Sequence, residues 1–196
     1  MLPEKIIFVG VAISFITSLW YVRNIFFGST RPNLVSYFIW MLAPFVGVFL
    51  QLKAGAGFSS LGVFMAGFGP FLVILFCLFK KNAFWKINTF DIICGLFSVM
   101  ALVIYVITNN LGISIFFAIL SDLLAGVPTV IKSWKHSETE TSSIYIGGII
   151  NNILALLIIK NWSFSIYSFP IYLILMNLII VFGIYRKKIF KKAISA

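Results

Sequence analysis

Residues 119–148 read ILSDLLAGVPTVIKSWKHSETETSSIYIGG and hold the features that decide how this chain folds. The stretch begins as an apolar helix that carries an acid, a proline and a threonine: Asp122, Pro128 and Thr129. It then crosses a short loop of basic and acidic residues before a second apolar run begins. Asp122 is the only carboxylate well inside a hydrophobic segment of the chain. Any function assigned to the protein has to explain that acid.

The composition of the whole chain is that of a membrane protein. Of its 196 residues, 61% are hydrophobic and only 10% are charged, whereas a soluble domain carries roughly 25% charged residues. Backbone groups in lipid must be paired within their own segment, so long apolar runs are predicted to be helices. The sequence therefore predicts an all-α integral membrane fold.

Seven apolar runs approach the roughly 20 residues that a helix needs to cross a bilayer. They cover residues 6–27, 34–52, 57–79, 92–108, 111–134, 144–159 and 164–185. The connections between them are short and rich in turn formers, among them Asn109. We therefore expect residues 1–196 to form a single membrane domain of seven transmembrane helices.

The placement of Lys and Arg predicts the orientation in the membrane. Twelve of the 15 lie at one set of helix ends: Arg23, Arg31, Lys80, Lys81, Lys86, Lys132, Lys135, Arg186, Lys187, Lys188, Lys191 and Lys192. Only Lys5, Lys53 and Lys160 lie at the opposite ends. Because cationic loops stay in the cytoplasm, we expect a plasma (inner) membrane protein with its N-terminus outside and its C-terminus cytoplasmic. Topology and anionic headgroups then explain the net charge of +10 without nucleic-acid binding.

Residues for metal, cofactor or enzyme chemistry are scarce. His136 is the single histidine, and the two cysteines, Cys77 and Cys94, lie far apart in apolar segments. A bis-His haem or a zinc cluster cannot be built from this chain alone. We find no Asp-rich metal motif, no His/Glu zinc pair and no Gly-x-Ser-x-Gly motif. We therefore expect no cofactor and no enzymatic activity.

A constant sequence offset aligns the two halves of the chain. The aligned positions are Lys53 with Lys160, Lys80 and Lys81 with Lys187 and Lys188, and Ser36 with Ser143. The prediction rests on loop positions and charge register, because overall identity at this offset is near the level that the composition alone would give. It divides the chain into repeat one (6–81), a linker helix (92–108) and repeat two (111–188), as two parallel three-helix repeats.

Residues 128–132, PTVIK, resemble the Pro-Gln-x-x-Lys motif of the PQ-loop superfamily, which includes the SWEET sugar transporters. The three-one-three helix plan with an outside N-terminus also resembles that superfamily. Thr129 stands where the family has Gln, and repeat one has Tyr21 and Val22 in place of Pro-Gln. The resemblance implies a solute path between the two triplets, alternating access and a functional proline kink. It implies no particular solute, because a family of vitamin transporters shares the layout.

Asp122 is predicted to lie near the bilayer midplane, about ten residues into its span. A charge there costs ~2.5–3.5 kcal/mol on insertion scales, and an acid at that depth is a functional candidate by default. One interpretation is a protonatable group in a solute path, and the other is a structural acid hydrogen-bonded to a neighbouring helix. Gly126 and Thr129 share its helix face, and Gly126 leaves room beside it.

Further candidates are polar or kinking residues inside other apolar runs. Pro44 and Pro128 each free a backbone carbonyl, so Pro44, Pro128 and Thr129 are the predicted hinge residues, with a static kink as the alternative. Trp40 shares a helix face with Pro44, Gly47 and Gln51, either as a solute-binding stripe or as a packing face.

The predicted solute-binding residues are Trp40, Asp122, Asn151, Asn152 and Asn177. For the three asparagines, the alternative is hydrogen bonding between helices. SWEET-like proteins bind sugars with Trp and Asn residues at mid-membrane depth. For this chain, the resemblance implies that Trp40 and Asn177 contact the solute.

Two lysines and two glutamates lie around the loop after the fifth predicted helix. Lys132 and Lys135 could pair with Glu138 and Glu140 as an inner gate. We favour solvated charges that only report topology, because exposed pairs contribute little stability.

Two functions remain open. The first is a transporter of a small polar solute (a sugar or similar metabolite) that works by alternating access between two three-helix bundles, with a proton link through Asp122. The second is a non-transporting membrane scaffold or partner protein, in which the polar residues only join helices. The expected partners are a small-molecule solute and the lipid bilayer, and a homo-oligomer is compatible with the sequence. The transporter interpretation requires Asp122, Asn151 or Asn152, and Asn177 to border one cavity between the triplets.

Overall fold

The structure is a computed structural model that describes residues 3–80, 84–108 and 110–194, the side chains at 111, 188 and 190–194 excepted. These residues form seven α-helices and three short 3₁₀ turns, with no strand among them. The helices are α1 (Ile7–Phe26), α2 (Leu34–Lys53), α3 (Ser60–Phe79), α4 (Thr89–Ile107), α5 (Leu111–Lys135), α6 (Ser143–Leu157) and α7 (Phe164–Ile194). Lys81, Asn109 and the side chains of Lys188, Lys191 and Lys192 lie outside the described set.

Six of the helices are long and apolar enough to cross a membrane, as predicted for an all-α membrane protein. The exception is α6, whose 15 residues measure about 22 Å, less than the ~30 Å hydrocarbon core. Six of the seven predicted transmembrane helices therefore have spanning length, and the remaining one, α6, is short.

Four predicted helix ends differ from the structure by two residues or more. The start of α3 is Ser60 rather than residue 57, because Gly57–Ser59 forms a 3₁₀ turn. The start of α4 is Thr89 rather than residue 92, because Asn88 accepts from the Asp91 N–H at 3.0 Å while Asp91 accepts from the Asn88 N–H at 2.9 Å. The end of α7 is Ile194 rather than residue 185. Lys and Arg are good helix formers and are favoured at a helix C-terminus, so the cationic end prolongs the helix. The end of α6 is Leu157 rather than residue 159.

The helices pack as two groups of three with α4 outside them. In the first group α3 contacts both α1 and α2, and in the second α7 contacts both α5 and α6. The groups meet through α1 on α6, α2 on α5 and α3 on α6, while α4 packs on α5 and α2. Close approach depends on small residues, since a Cβ added at Gly62 of α3 would lie 2.6 Å from the Ala155 Cβ of α6.

Polarity is distributed as expected for a chain surrounded by lipid. Large apolar side chains such as Leu96, Phe97 and Val106 of α4 are more than half exposed at the outside. Several charged and amide side chains within the helices lie inside instead, and Asp122, Asn151 and Gln51 are each at most 1% exposed. A soluble protein has the opposite distribution. Polar function in this chain must therefore be sought between the helices.

Candidate functional site

A small cavity of about 60 Å³ lies between the two helix groups and is lined by every helix except α4. Four of the five predicted solute-binding residues line it: Trp40, Asp122, Asn152 and Asn177. The described lining also includes Tyr37, Tyr145, Ser14, Gly148, Met176 and Pro70. The helix groups thus bring residues from α2, α5, α6 and α7 to one space between them.

Asp122 is buried at this cavity, with 1% of its surface exposed. Its Oδ2 accepts a hydrogen bond of 2.7 Å from the Tyr172 hydroxyl, and its backbone carbonyl accepts one of 3.2 Å from the Trp40 indole. Its Oδ1 has no hydrogen-bond partner among the described residues. The acid therefore has the interhelical contact of a structural residue and also an oxygen left over for something else.

The two neighbouring asparagines of α6 have different surroundings. Asn152 lines the cavity, where its Nδ2 donates 2.8 Å to the Gly148 carbonyl and its Oδ1 has no partner within the described part of the chain. Asn151 lies outside the cavity lining, and its Nδ2 donates 2.9 Å to the Gly62 carbonyl of α3. Asn151 Oδ1 is likewise unpaired within the described residues, so the two differ in that Asn151 joins α6 to α3 and only Asn152 lines the cavity.

The walls of the cavity are aromatic. The Trp40 ring lies with its centroid 5.4 Å from that of Tyr37 and 6.4 Å from that of Tyr145. Gly126 of α5 makes room for Met176 and for the edge of the Trp40 ring, because a Cβ there would collide with the Met176 methyl and would be 3.2 Å from the indole. The room that Gly126 was predicted to leave beside the acid is thus filled by these two side chains.

A buried polar cluster adjoins the cavity at the end of the bundle where α5 finishes and α2 and α6 begin, which we call the basic end. At its centre, Glu140 accepts from the Tyr21 hydroxyl and, at 3.3 Å, from the Tyr145 hydroxyl. Lys132 pairs with the other carboxylate oxygen at 2.6 Å. The Tyr37 and Tyr145 hydroxyls are 3.1 Å apart. These five residues, the basic-end cluster, share Tyr37 and Tyr145 with the cavity and close it on that side.

The expectation that these loop charges are all solvated is wrong for Lys132 and Glu140, whose side chains are 2% and 0% exposed. The loop folds back over the end of α5, so Lys132 also donates to the backbone carbonyls of Arg31 and Thr139. The Trp85 ring covers the ammonium, with its centroid 5.5 Å away. The expectation does fit Glu138, which is exposed.

The predicted hinge residues lie beside the cavity lining rather than in it. Pro44 and Pro128 are buried inside α2 and α5, and the Thr129 hydroxyl donates 2.9 Å to the Ser36 hydroxyl. The stripe beyond Trp40 is a packing face, since Gln51 donates 3.2 Å to the Ile166 carbonyl of α7. Of that stripe, only Trp40 reaches the cavity.

The sequence analysis missed the tyrosines. Tyr172 donates to Asp122, Tyr21 and Tyr145 donate to Glu140, and the Tyr37 hydroxyl bonds to that of Tyr145. A phenol inside an apolar helix needs a partner for its hydroxyl, and that signal was available from the sequence. The partner itself was not, because it depends on which helices pack together.

Comparison with known proteins assigns this chain to no family. It matches no family model, no curated protein and no solved structure. The described residues also hold no group of three His, Cys, Asp or Glu that could bind a metal. Fold and site define the class as an all-helical, membrane-embedded protein with a largely apolar cavity into which a few polar residues are placed, and function has to be argued from that cavity.

Proposed function

We propose that this protein transports a small polar solute by alternating access between the bundle of α1, α2 and α3 and the bundle of α5, α6 and α7. One observation carries the proposal: Trp40, Asp122, Asn152 and Asn177 border a single cavity between the two groups. Polar residues that only join helices would lie at separate contacts, as Asn151 does. Instead, these four meet at one space, where the buried Asp122 Oδ1 has no partner among the described residues, as expected of a solute site.

The helix contacts support an internal repeat of residues 6–81 and 111–188 with α4 as linker. The third helix of each group contacts the other two, and the first helix of each group packs on the second helix of the other. Reciprocal contacts of this kind are what a pseudo-two-fold axis produces. We include the resemblance to the PQ-loop superfamily, with its SWEET transporters, in this proposal.

The size of the cavity supports a conformational cycle. Its volume of about 60 Å³ is well below the ~300–1,000 Å³ of pockets that hold drug-sized ligands. The basic-end cluster closes it on one side. Loading and release of a metabolite therefore require the two helix groups to move apart.

We propose that the basic end faces the cytoplasm, with the N-terminus outside the plasma (inner) membrane. In a Cys77→Ala, Cys94→Ala background, single cysteines are introduced at the exposed Glu138 (basic end) or Asn161 (opposite end). An impermeant maleimide added to intact cells is expected to label Asn161→Cys only, and to label both after permeabilisation. Labelling of Glu138→Cys alone in intact cells would show the opposite orientation, with the basic end outside.

Uptake into proteoliposomes tests the transport proposal, with sugars, amino acids and nucleosides offered with and without a pH gradient. We expect accumulation of at least one solute. We expect Asp122→Asn to reduce gradient-driven uptake by at least roughly tenfold, since a neutral amide cannot carry a proton. The matched control, Glu138→Gln, removes a carboxylate at the surface and should leave uptake unchanged. Full gradient-driven uptake by Asp122→Asn excludes the proton link. If the folded protein moves no solute, the result favours the alternative of a non-transporting membrane scaffold or partner protein.

A further inference from the structure

The buried polar atoms left unpaired at the cavity are both acceptors. Asp122 Oδ1 and Asn152 Oδ1 lack partners among the described residues, and each side chain belongs to a residue that is 1% exposed. Several donors at the cavity are already engaged, whereas the Asn177 amide, which also lines it, forms no hydrogen bond within the described part of the chain. The Trp40 indole and the Tyr172 hydroxyl both bond to Asp122, and the Asn152 amide donates to the Gly148 carbonyl. An occupant that satisfies this site must therefore donate hydrogen bonds.

The carboxylate also lacks a counter-charge. Within the described lining there is no Lys, Arg or His beside Asp122. The buried cation next to the cavity, Lys132, is committed to Glu140 at 2.6 Å. A carboxylate away from water is stable only when it is paired with a cation or neutralised by a proton. A proton can neutralise Asp122 while the site is empty, and an occupant that replaces this proton carries a positive charge.

The walls suit a cation as well. The rings of Trp40, Tyr37 and Tyr145 surround the space next to the acid. Aromatic faces carry partial negative charge and attract ammonium groups most strongly where water is excluded. An uncharged hydroxyl compound would gain nothing from this attraction.

We infer that the solute of the proposed transport cycle, on which this inference rests, is a small primary ammonium compound. Its –NH₃⁺ group donates to Asp122 Oδ1 and Asn152 Oδ1 while the aromatic rings cover the charge. An ammonium has three donors and no acceptor, which matches what the site leaves unpaired. Sugar hydroxyls accept as well as donate, and most donors facing the cavity are already engaged. A volume of about 60 Å³ further restricts the solute to a compact molecule.

Binding to the full-length protein in detergent at neutral pH tests the inference by titration calorimetry. The probes are ethanolamine, its uncharged analogue ethylene glycol, the N-methylated analogue choline, and glucose. We expect ethanolamine to bind, choline to bind at least tenfold more weakly because it has no N–H donor, and the two neutral compounds not to bind. Equal binding of choline and ethanolamine would overturn the assignment of a primary ammonium, and preference for glucose would overturn the charge.

Two variants connect the binding to the site. Asp122→Asn removes the charge but retains the shape, and it should raise the Kd of ethanolamine at least tenfold. Asn152→Ala removes the other acceptor and should raise the Kd by a smaller factor, roughly threefold to tenfold. The control, Glu138→Gln, should leave the Kd unchanged. Each variant is first shown to melt cooperatively, and unchanged affinity in both site variants would overturn the inference.

Uptake of radiolabelled ethanolamine and glucose separates this inference from the transport proposal. Glucose uptake without ethanolamine binding would overturn the ammonium assignment and leave transport standing. Ethanolamine binding that depends on Asp122, with no uptake of any compound, would overturn transport and leave the site standing. Absence of both binding and uptake would overturn both.

Discussion

Lys132→Met is expected to lower the free energy of unfolding by about 3–5 kcal/mol, the cost typical of removing one partner of a buried ion pair. The Glu140 side chain is 0% exposed and pairs with the Lys132 ammonium at 2.6 Å. Methionine replaces the alkyl stem of lysine but not its charge, so the carboxylate stays buried with only the Tyr21 and Tyr145 hydroxyls as partners. Unfolding of the purified protein in mixed micelles, followed by circular dichroism, measures the loss.

Two matched variants show whether the ion pair is the cause. Lys135→Met makes the same change one helical turn away on an exposed side chain, and it should alter stability by no more than about 0.5 kcal/mol. Adding Glu140→Gln to Lys132→Met removes the unpaired charge and should restore most of the lost stability. Equal losses of stability for Lys132→Met and Lys135→Met would show that the buried ion pair of Lys132 and Glu140 is not the cause.

The helices could be predicted because lipid leaves the chain few alternatives. Apolar runs of about 20 residues must be helical where water is absent, and the main errors fell at helix ends. The capping pair of Asn88 and Asp91 starts α4 before its apolar run begins. The cationic end of α7 continues as helix after its apolar run stops. Local hydrogen bonds determine where α4 begins, and charge determines where α7 ends. A hydropathy pattern reports neither of these effects.

The sequence could predict how deep the site residues lie along their helices, but not which neighbouring helix each side chain faces. Asp122, Asn152 and Asn177 lie near the middle of their helices, so placing them at one level required no knowledge of packing. Asn151 and Asn152 are adjacent, however, and point about 100° apart on a helix. Only the neighbours of α6 decide which of them faces the cavity. Tyr172 was missed for the same reason, because its partner lies on a different helix.

The buried pair of Lys132 and Glu140 shows a different limit. A lysine at a helix end and a glutamate in the next loop normally stay in water, and that general rule led to the wrong expectation here. The turn Ser137–Thr139 brings Glu140 back under the end of α5. Three tyrosines from three helices then enclose the carboxylate region. Such an enclosure is a property of tertiary packing and leaves no pattern in any one segment.

Tyr37 and Tyr145 connect the candidate site to the basic-end cluster. Each lines the cavity with its ring, and their hydroxyls meet 3.1 Å apart across the boundary between the two helix groups. Tyr145 also donates to Glu140. A solute that displaces either ring therefore disturbs the closure as well. In the proposed cycle, Tyr37 and Tyr145 therefore couple binding of a solute in the cavity to opening of the basic-end cluster.

Locking the two groups together at the basic end is expected to abolish transport. The Ser36 hydroxyl of α2 and the Thr129 hydroxyl of α5 are 2.9 Å apart, close enough for two cysteine sulfurs to form a disulfide with modest adjustment. In the Cys77→Ala, Cys94→Ala background, we expect oxidised Ser36→Cys/Thr129→Cys to lose at least roughly nine-tenths of uptake, because α2 and α5 belong to different groups and must separate. Reduction with dithiothreitol should restore uptake.

The single variants Ser36→Cys and Thr129→Cys control for loss of the hydroxyls and for the oxidant, and they should transport equally before and after oxidation. Thiol titration establishes that the double variant is fully cross-linked before uptake is measured. A fully cross-linked protein that transports at the uncross-linked rate would show that α2 and α5 stay together throughout the cycle. Opening would then have to occur at the contact of α1 with α6, and the motion would be a bend within the groups instead of a separation between them. The disulfide thus tests where the bundle opens independently of which solute it carries.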